Sequence, residues 1–306
     1  MNSMTKINNY AGRANLGLNA FTSVGRLLAG IALTGTLNAG PLHNFNVLVA
    51  DSQSTVYSVD PRTGERAIIA QGGKLDRPYD LALNRDGSIV VSDTATLRIV
   101  QIDAATHEQT VLAEGGELGV PFGIDVDQHN RVYVANASSI VGVDPKTHQV
   151  ETIAKGGLLK VPLDVAAAPD GSLYVADAVA GIIRIDSATH EQSLLAAGDM
   201  LHAPIGIALD GNSSAYVADA AGKCIVSVDL RDGAQKLVSM AGMLTTPVGI
   251  AVGPGGILLV SDPDAFDLDG GVMTINPDGT QDAITRGFGD LVNARGIALV
   301  PASKVR

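Results

Sequence analysis

Asp80, Asp125, Asp164 and Arg295 are the residues of this chain best placed to do chemistry, because each stands where its counterparts are glycine, alanine or aliphatic. Asp80 and Asp164 replace the glycine of a recurring Pro-x-Gly, which elsewhere ends in Phe122-Gly123, Ile205-Gly206 and Val248-Gly249. A proline-free version is Arg295-Gly296. Asp125 breaks the alanine column two positions on, formed by Ala82, Ala166, Ala208, Ala251 and Ala298. A carboxylate among such small residues is costly unless it is hydrogen-bonded, paired, metal-bound or wet. Asp80, Asp125, Asn136 and Asp164 therefore offer oxygen ligands for Ca²⁺ or another divalent cation. Asp80 and Asp164 would equally anchor an organic ligand beside the rings of Tyr79 and Phe122. Arg295 adds a fixed cation, and His202 is the histidine placed to serve as a general base with it. The plain alternative for the carboxylates is loop capping or binding of backbone and water.

A second acidic cluster lies further on, in Asp262-Pro263-Asp264-Ala265-Phe266-Asp267-Leu268-Asp269-Gly270-Gly271. Asp262, Asp264, Asp267 and Asp269 supply oxygens for a separate Ca²⁺ site or form a solvated acidic loop, and their spacing is not that of an EF-hand.

These residues sit in a repeat. Pro204 to Asp219 reads as a short apolar strand, an Asp-Gly turn and a second apolar strand ending in Asp. Copies begin at Pro78, Pro121, Pro162, Pro204, Pro247 and Ala294, with steps of 43, 41, 42, 43 and 47 residues. Such a period means a solenoid or a propeller. Numbering the blades from Pro78, the second strands end in a column of Asp93, Asn136, Asp177, Asp219 and Asp262, with Asp51 completing it. The third strands end at Asp60, Asp103, Asp144, Asp186, Asp229 and Asn276, each before a polar hairpin turn. A leucine in each interblade loop (Leu75, Leu118, Leu159, Leu201, Leu244, Leu291) is expected to plug the space between neighbours. The chain enters on a second strand at Asn46 and finishes on a first strand at Gly296, which together complete a sixth blade. The fold predicted is all-β: a six-bladed propeller of four-stranded antiparallel blades, closed by pairing of its terminal strands.

Pro-x-Gly-Ile-Ala-Val, then Asp-x-x-Gly, then Val-Tyr-Val-Ala-Asp resembles the NHL repeat, over roughly residues 45–300. The resemblance implies a β-propeller and says little of chemistry, since such propellers serve as interaction platforms, sensors and enzymes. Gluconolactonase-like and streptogramin-lyase-like propellers are distant likenesses. The first set Glu, Asn and Asp around a divalent cation, to which Asp80, Asp125, Asn136 and Asp164 are a loose analogue. The second need a metal-linked His and Glu, for which His202 matches the His alone.

Residues 1–44 differ from the rest: they hold no Asp or Glu, carry Lys6, Arg13 and Arg26, and then run apolar from Leu27 to Ala39. This is signal-peptide-like and too short to span a bilayer. A transit segment or a docked helix are the alternatives. The predicted organisation is this leader, the propeller over 45–302 and a tail of 303–306, with no transmembrane segment in the mature chain. An extracytoplasmic, periplasmic or secreted, monomer is expected.

The 306 residues carry a net charge of −11, which disfavours nucleic acid and anionic membranes as partners. One cysteine, Cys224, excludes an intrachain disulfide and reads as a small buried hydrophobe. Two readings remain. The first is a propeller that binds a small molecule, peptide or glycan at the mouth of its channel. The second is a divalent-metal-assisted lyase or hydrolase using the same channel.

Overall fold

The repeat folds as the sequence spacing predicts, and its regularity fixes where the exceptional residues lie. A computed structural model describes residues 42–211, 213–268, 270–286, 291 and 293–304, apart from the side chains of 267, 268 and 286. The expectation for the leader thus falls, but for its last residues, outside the described residues. Leu42 is buried and packs with the core between blades five and six.

In blade one, β4 (Pro78–Leu83), β5 (Ile89–Asp93), β6 (Arg98–Ile102) and β7 (Gln109–Glu114) pair in chain order. The innermost strands of the next four blades are β8 (Pro121–Val126), β12 (Pro162–Ala167), β16 (Pro204–Leu209) and β20 (Gly249–Val252). The sixth blade is composite. Its inner strand β24 (Ala294–Pro301) pairs with β1 (Phe45–Asp51), followed by β2 (Thr55–Val59) and β3 (Arg66–Gln71). The register runs from Phe45 opposite Pro301 to Asp51 opposite Ala294, so the two ends of the propeller chain close the ring and leave no open inner edge.

Six apolar clusters hold the blades together, and each lies between neighbours rather than within one blade. Leu201, for instance, packs with Ile182 of blade three and Val226 of blade four. The interblade leucines are all buried, at 0 to 6% exposure, and fill these seams as expected. Cys224 belongs to one of them, and burial pushes its thiol up to about 11, so it packs as an inert hydrophobe. Among the described residues no helix is long and apolar enough to cross a membrane.

The column carboxylates fasten the upper face, where the loops between blades and the second-to-third-strand turns lie. Asp177 Oδ2 accepts the N–H groups of Lys160 and Val161, just before β12, while Oδ1 accepts those of Val179 and Ala180 in the turn. Asp93, Asp219 and Asp262 repeat the arrangement. Backbone groups that would otherwise be orphaned are satisfied, and the approaches to β4, β12, β16 and β20 are fixed.

Candidate functional site

The six inner strands surround a channel of about 410 Å³, within the range of small-molecule sites. Its mouth is shaped by a bulge near the start of the inner strand. Pairing of β4 with β5 skips between Pro78 and Asp80, and β8, β12 and β16 show the same irregularity near their prolines. β24 does so opposite Val49 and Asp51. Such a bulge re-aims the extra residue, and the residues at it are Tyr79, Phe122, Leu163, Ile205 and Arg295. Tyr79, Leu163, Ile205, Val248 and Arg295 line the channel. Phe122 meets Tyr79 edge to face, with centroids 5.3 Å apart, and Arg295 lies over the other side of that arc, its Cζ 5.9 Å from the Tyr79 centroid. One half of the mouth is therefore Arg, Tyr and Phe, and the other Leu, Ile and Val.

Below this rim stand Asp80, Asp125 and Asp164, and they follow one rule. Each accepts the N–H of the residue after it and the N–H of the equivalent residue in the next blade. Asp80 binds Leu81 at 2.8 Å and Ile124 at 2.9 Å. Asp125 binds Val126 and Ala167, both at 2.8 Å. Asp164 binds Val165 at 2.7 Å and Ile207 at 2.8 Å. The carboxylates thus stitch blades one to four along their inner edges, where the ladder leaves donors unpaired.

The same carboxylates dictate glycine in the preceding blade. A Cβ on Gly123 would run into Asp164 Oδ1, and one on Gly296 into Asp80 Oδ1. Asp80 and Asp164 consequently approach strand β8 at adjacent residues, Ile124 and Gly123.

Each carboxylate is partly buried and lines the channel. Burial pushes Asp80 up to about 7, with the charge of Asp125 adding to it against its two backbone hydrogen bonds. Asp125 rises to about 6, again through burial. Asp164 is raised well above the usual carboxylate range by burial and then by the neighbouring Asp80. The charge of one disfavours ionisation of the other, so Asp164 is held protonated to higher pH than an ordinary carboxylate. Burial likewise pushes the Tyr79 phenol up to about 12, which keeps it neutral.

The other predicted site residues are not brought to this channel. Asn136 is buried in its own loop, its Oδ1 accepting the N–H of Gly119 and its Nδ2 donating to Glu117 O and Ser139 Oγ. It does the fastening work of the column aspartates with an amide in their place. His202 is exposed on the upper loop, with Nδ1 3.1 Å from Met200 O, and it does not line the channel. The ring's own contact, with Met200 O, keeps it on the surface of the loop. The expected oxygen set for a divalent cation therefore does not converge, and among the described residues no three His, Cys, Asp or Glu side chains form a metal-holding group. In the acidic loop, Asp262 spends its oxygens on the N–H groups of Thr245, Thr246 and Asp264. A one-turn helix, Ala265–Leu268, follows. Asp269 and the side chain of Asp267 lie outside the described residues.

Two residues of the site have no counterpart in the sequence reading. Ser92 and Ser261 are fully buried and replace the alanine that precedes the column acid in the other blades. Ser261 Oγ donates to Arg295 O and accepts the N–H of Gly249; Ser92 Oγ donates to Phe122 O and accepts that of Asp80. Each serine thus clamps a mouth residue of the following blade. The signal was there, as two serines in a column of Ala50, Ala135, Ala176 and Ala218.

No protein-family model matches the chain, and no curated protein matches it. Solved structures do. A chain from the crystal structure of a nidogen/laminin complex superposes with a TM-score of 0.73 at 17% identity, over 84% of this chain and 99% of that one. Virginiamycin B lyase from Staphylococcus aureus gives 0.59 at 12% identity, over 78% and 84%. At such identities the likeness establishes the fold alone. The chain is a six-bladed β-propeller.

Proposed function

We propose that this is a non-catalytic ligand-binding propeller of the NHL-repeat type, which takes a small molecule, peptide or glycan at the upper mouth of its channel. The observation that carries this reading is the mouth itself: a guanidinium, two aromatic rings and three aliphatic side chains, five of the six set on bulges, over a cavity of small-molecule size. Among neighbours of the fold, one comes from a complex of two proteins, which suits a binder, while the other is named as a lyase, which suits the alternative. The metal-assisted lyase or hydrolase has less support, because the carboxylates that would hold its cation are engaged with backbone N–H groups and its expected base faces away. The acid-free leader fits an extracytoplasmic location for such a binder.

A thermal-shift screen of peptides, oligosaccharides and small organic molecules tests the proposal. It predicts at least one ligand whose stabilisation disappears in both Tyr79→Ala and Arg295→Ala. Ligands that stabilise both variants as well as the parent would place the binding surface elsewhere.

A further inference from the structure

Arg295 is the one Lys or Arg among the residues lining the channel, although the chain as a whole is acidic. Three carboxylates share the cavity with it, and an ordinary expectation is that one of them pairs with the guanidinium. Among the described residues, none does. The reason lies in the stitching of the blades: both oxygens of Asp80, Asp125 and Asp164 are directed at backbone N–H groups. The charge of Asp51 acts on Arg295 without an ion pair among the described residues, and the contacts that hold Arg295 are uncharged. Its plane rests against Tyr79, and its carbonyl is clamped by Ser261. The clamp fixes the backbone of Arg295 and the aromatic contact limits its side chain, while its N–H fork stays uncommitted among the described residues. An arginine held ready in this way presents planar, parallel donors matched to a carboxylate.

The surroundings narrow the ligand further. The rest of the mouth is walled by Leu163 and Ile205 of blades three and four and by Val248 of blade five, beside Arg295, and Phe122 extends the aromatic face beyond Tyr79. Deeper in, the lining turns to Ala and then to Leu83, Leu209, Val252 and Leu299. A ligand that is charged throughout would leave these walls unused, whereas one with a single anionic end and an apolar body would cover them.

Resting on the reading of the mouth as a binding site, we propose that its ligand is a small organic acid, with a carboxylate gripped by the fork of Arg295 and an apolar body lodged between Tyr79, Phe122 and the aliphatic wall. Specificity then comes from the bidentate pair and affinity from the apolar burial.

Three probes of one shape separate the possibilities: phenylacetate, its neutral amide phenylacetamide, and the cation phenethylammonium, each titrated into the full chain by ligand-observed NMR. Binding of phenylacetate should exceed that of the amide by about tenfold or more, the worth of a charge-assisted pair. Arg295→Gln should erase that preference and leave weak binding of all three, while Arg295→Lys should restore only part of it. Circular dichroism and melting of each variant establish that the ring is intact. If the amide or the ammonium binds as well as the acid, and Tyr79→Ala abolishes that binding, the mouth is a ligand site but the assignment of an acid is wrong. If none of the three binds, the acid assignment fails too, and the broader screen alone decides the function.

Discussion

Asp164 joins blade three to blade four: its Oδ2 accepts the backbone N–H of Ile207 at 2.8 Å while its Oδ1 accepts that of Val165 at 2.7 Å. Asp80 and Asp125 make the corresponding links between blades one and two and between two and three. The carboxylates that break the repeat are therefore part of how the ring is held, and their ionisation is coupled to its stability.

That coupling sets a pH dependence. Asp80 lies at about 7 and Asp125 at about 6, and Asp164 is also raised, against about 3.9 in an unfolded chain. Between those values the folded protein holds more protons than the unfolded one, so stability falls as pH rises. The contribution is complete below about pH 4 and is lost as pH rises through 6 to 7. Urea midpoints measured from pH 5 to pH 8 should decline, with a fall of roughly 4 kcal/mol in unfolding free energy from Asp80 and Asp125. Asp164→Asn should start lower at pH 5, having lost an acceptor, but decline less steeply. A flat profile in the parent protein would contradict the raised values.

Gly123 and Asp164 should behave as a pair. A methyl at Gly123 collides with the Asp164 carboxylate and backbone, so Gly123→Ala should destabilise by about 1 to 3 kcal/mol. Glycine occupies the equivalent of position 164 in four of the six blades. Adding Asp164→Gly should relieve part of the clash, giving a favourable coupling in a double-mutant cycle. Strict additivity in denaturant titrations would show that the two residues do not share that space.

The two acidic columns should differ in their cost of removal. Asp177 is fully buried and accepts four N–H groups, so Asp177→Ala should cost about 3 kcal/mol or more and loosen the loop before β12. Asp103 sits in an exposed turn and accepts the N–H groups of Ala105 and Thr106. Asp103→Ala should cost far less than Asp177→Ala. Equal losses in melting experiments would argue against the fastening role of the upper column.

Closure should be all-or-none. Removing residues 294–306 strips β24 from β1 and exposes both a seven-residue edge and the seam around Ile297. The shortened chain should lose cooperative melting or self-associate through that edge. A monomer with the parent melting profile would mean that the other five blades suffice.

The fold was legible because the period of Pro204-Gly206 to Asp219 recurs with little change, and a propeller is that period closed on itself. The channel was legible as exceptions to the period: Asp80, Asp125, Asp164 and Arg295 do line it. Their partners were not, since Asp125 and Ala167 are 42 residues apart and meet only once blades two and three pack. Asn136 looked like part of the same exception, yet an amide can fasten the loop much as aspartate does, so a change of residue type there is no change of role. His202 was placed on the right face, but a repeat position says nothing of which way a loop side chain turns. Ser92 and Ser261 were passed over because serine for alanine is a small change in a strand, and its meaning lies in the following blade.

The central claim is that the mouth formed by Arg295, Tyr79 and Phe122 is where this propeller binds its ligand. Calorimetric titration of the best ligand from the screen into the parent protein and into Tyr79→Ala tests it most directly. The account predicts an affinity at least about tenfold weaker in Tyr79→Ala, in a variant that still melts cooperatively from a folded ring. Equal affinity in the two proteins would contradict it.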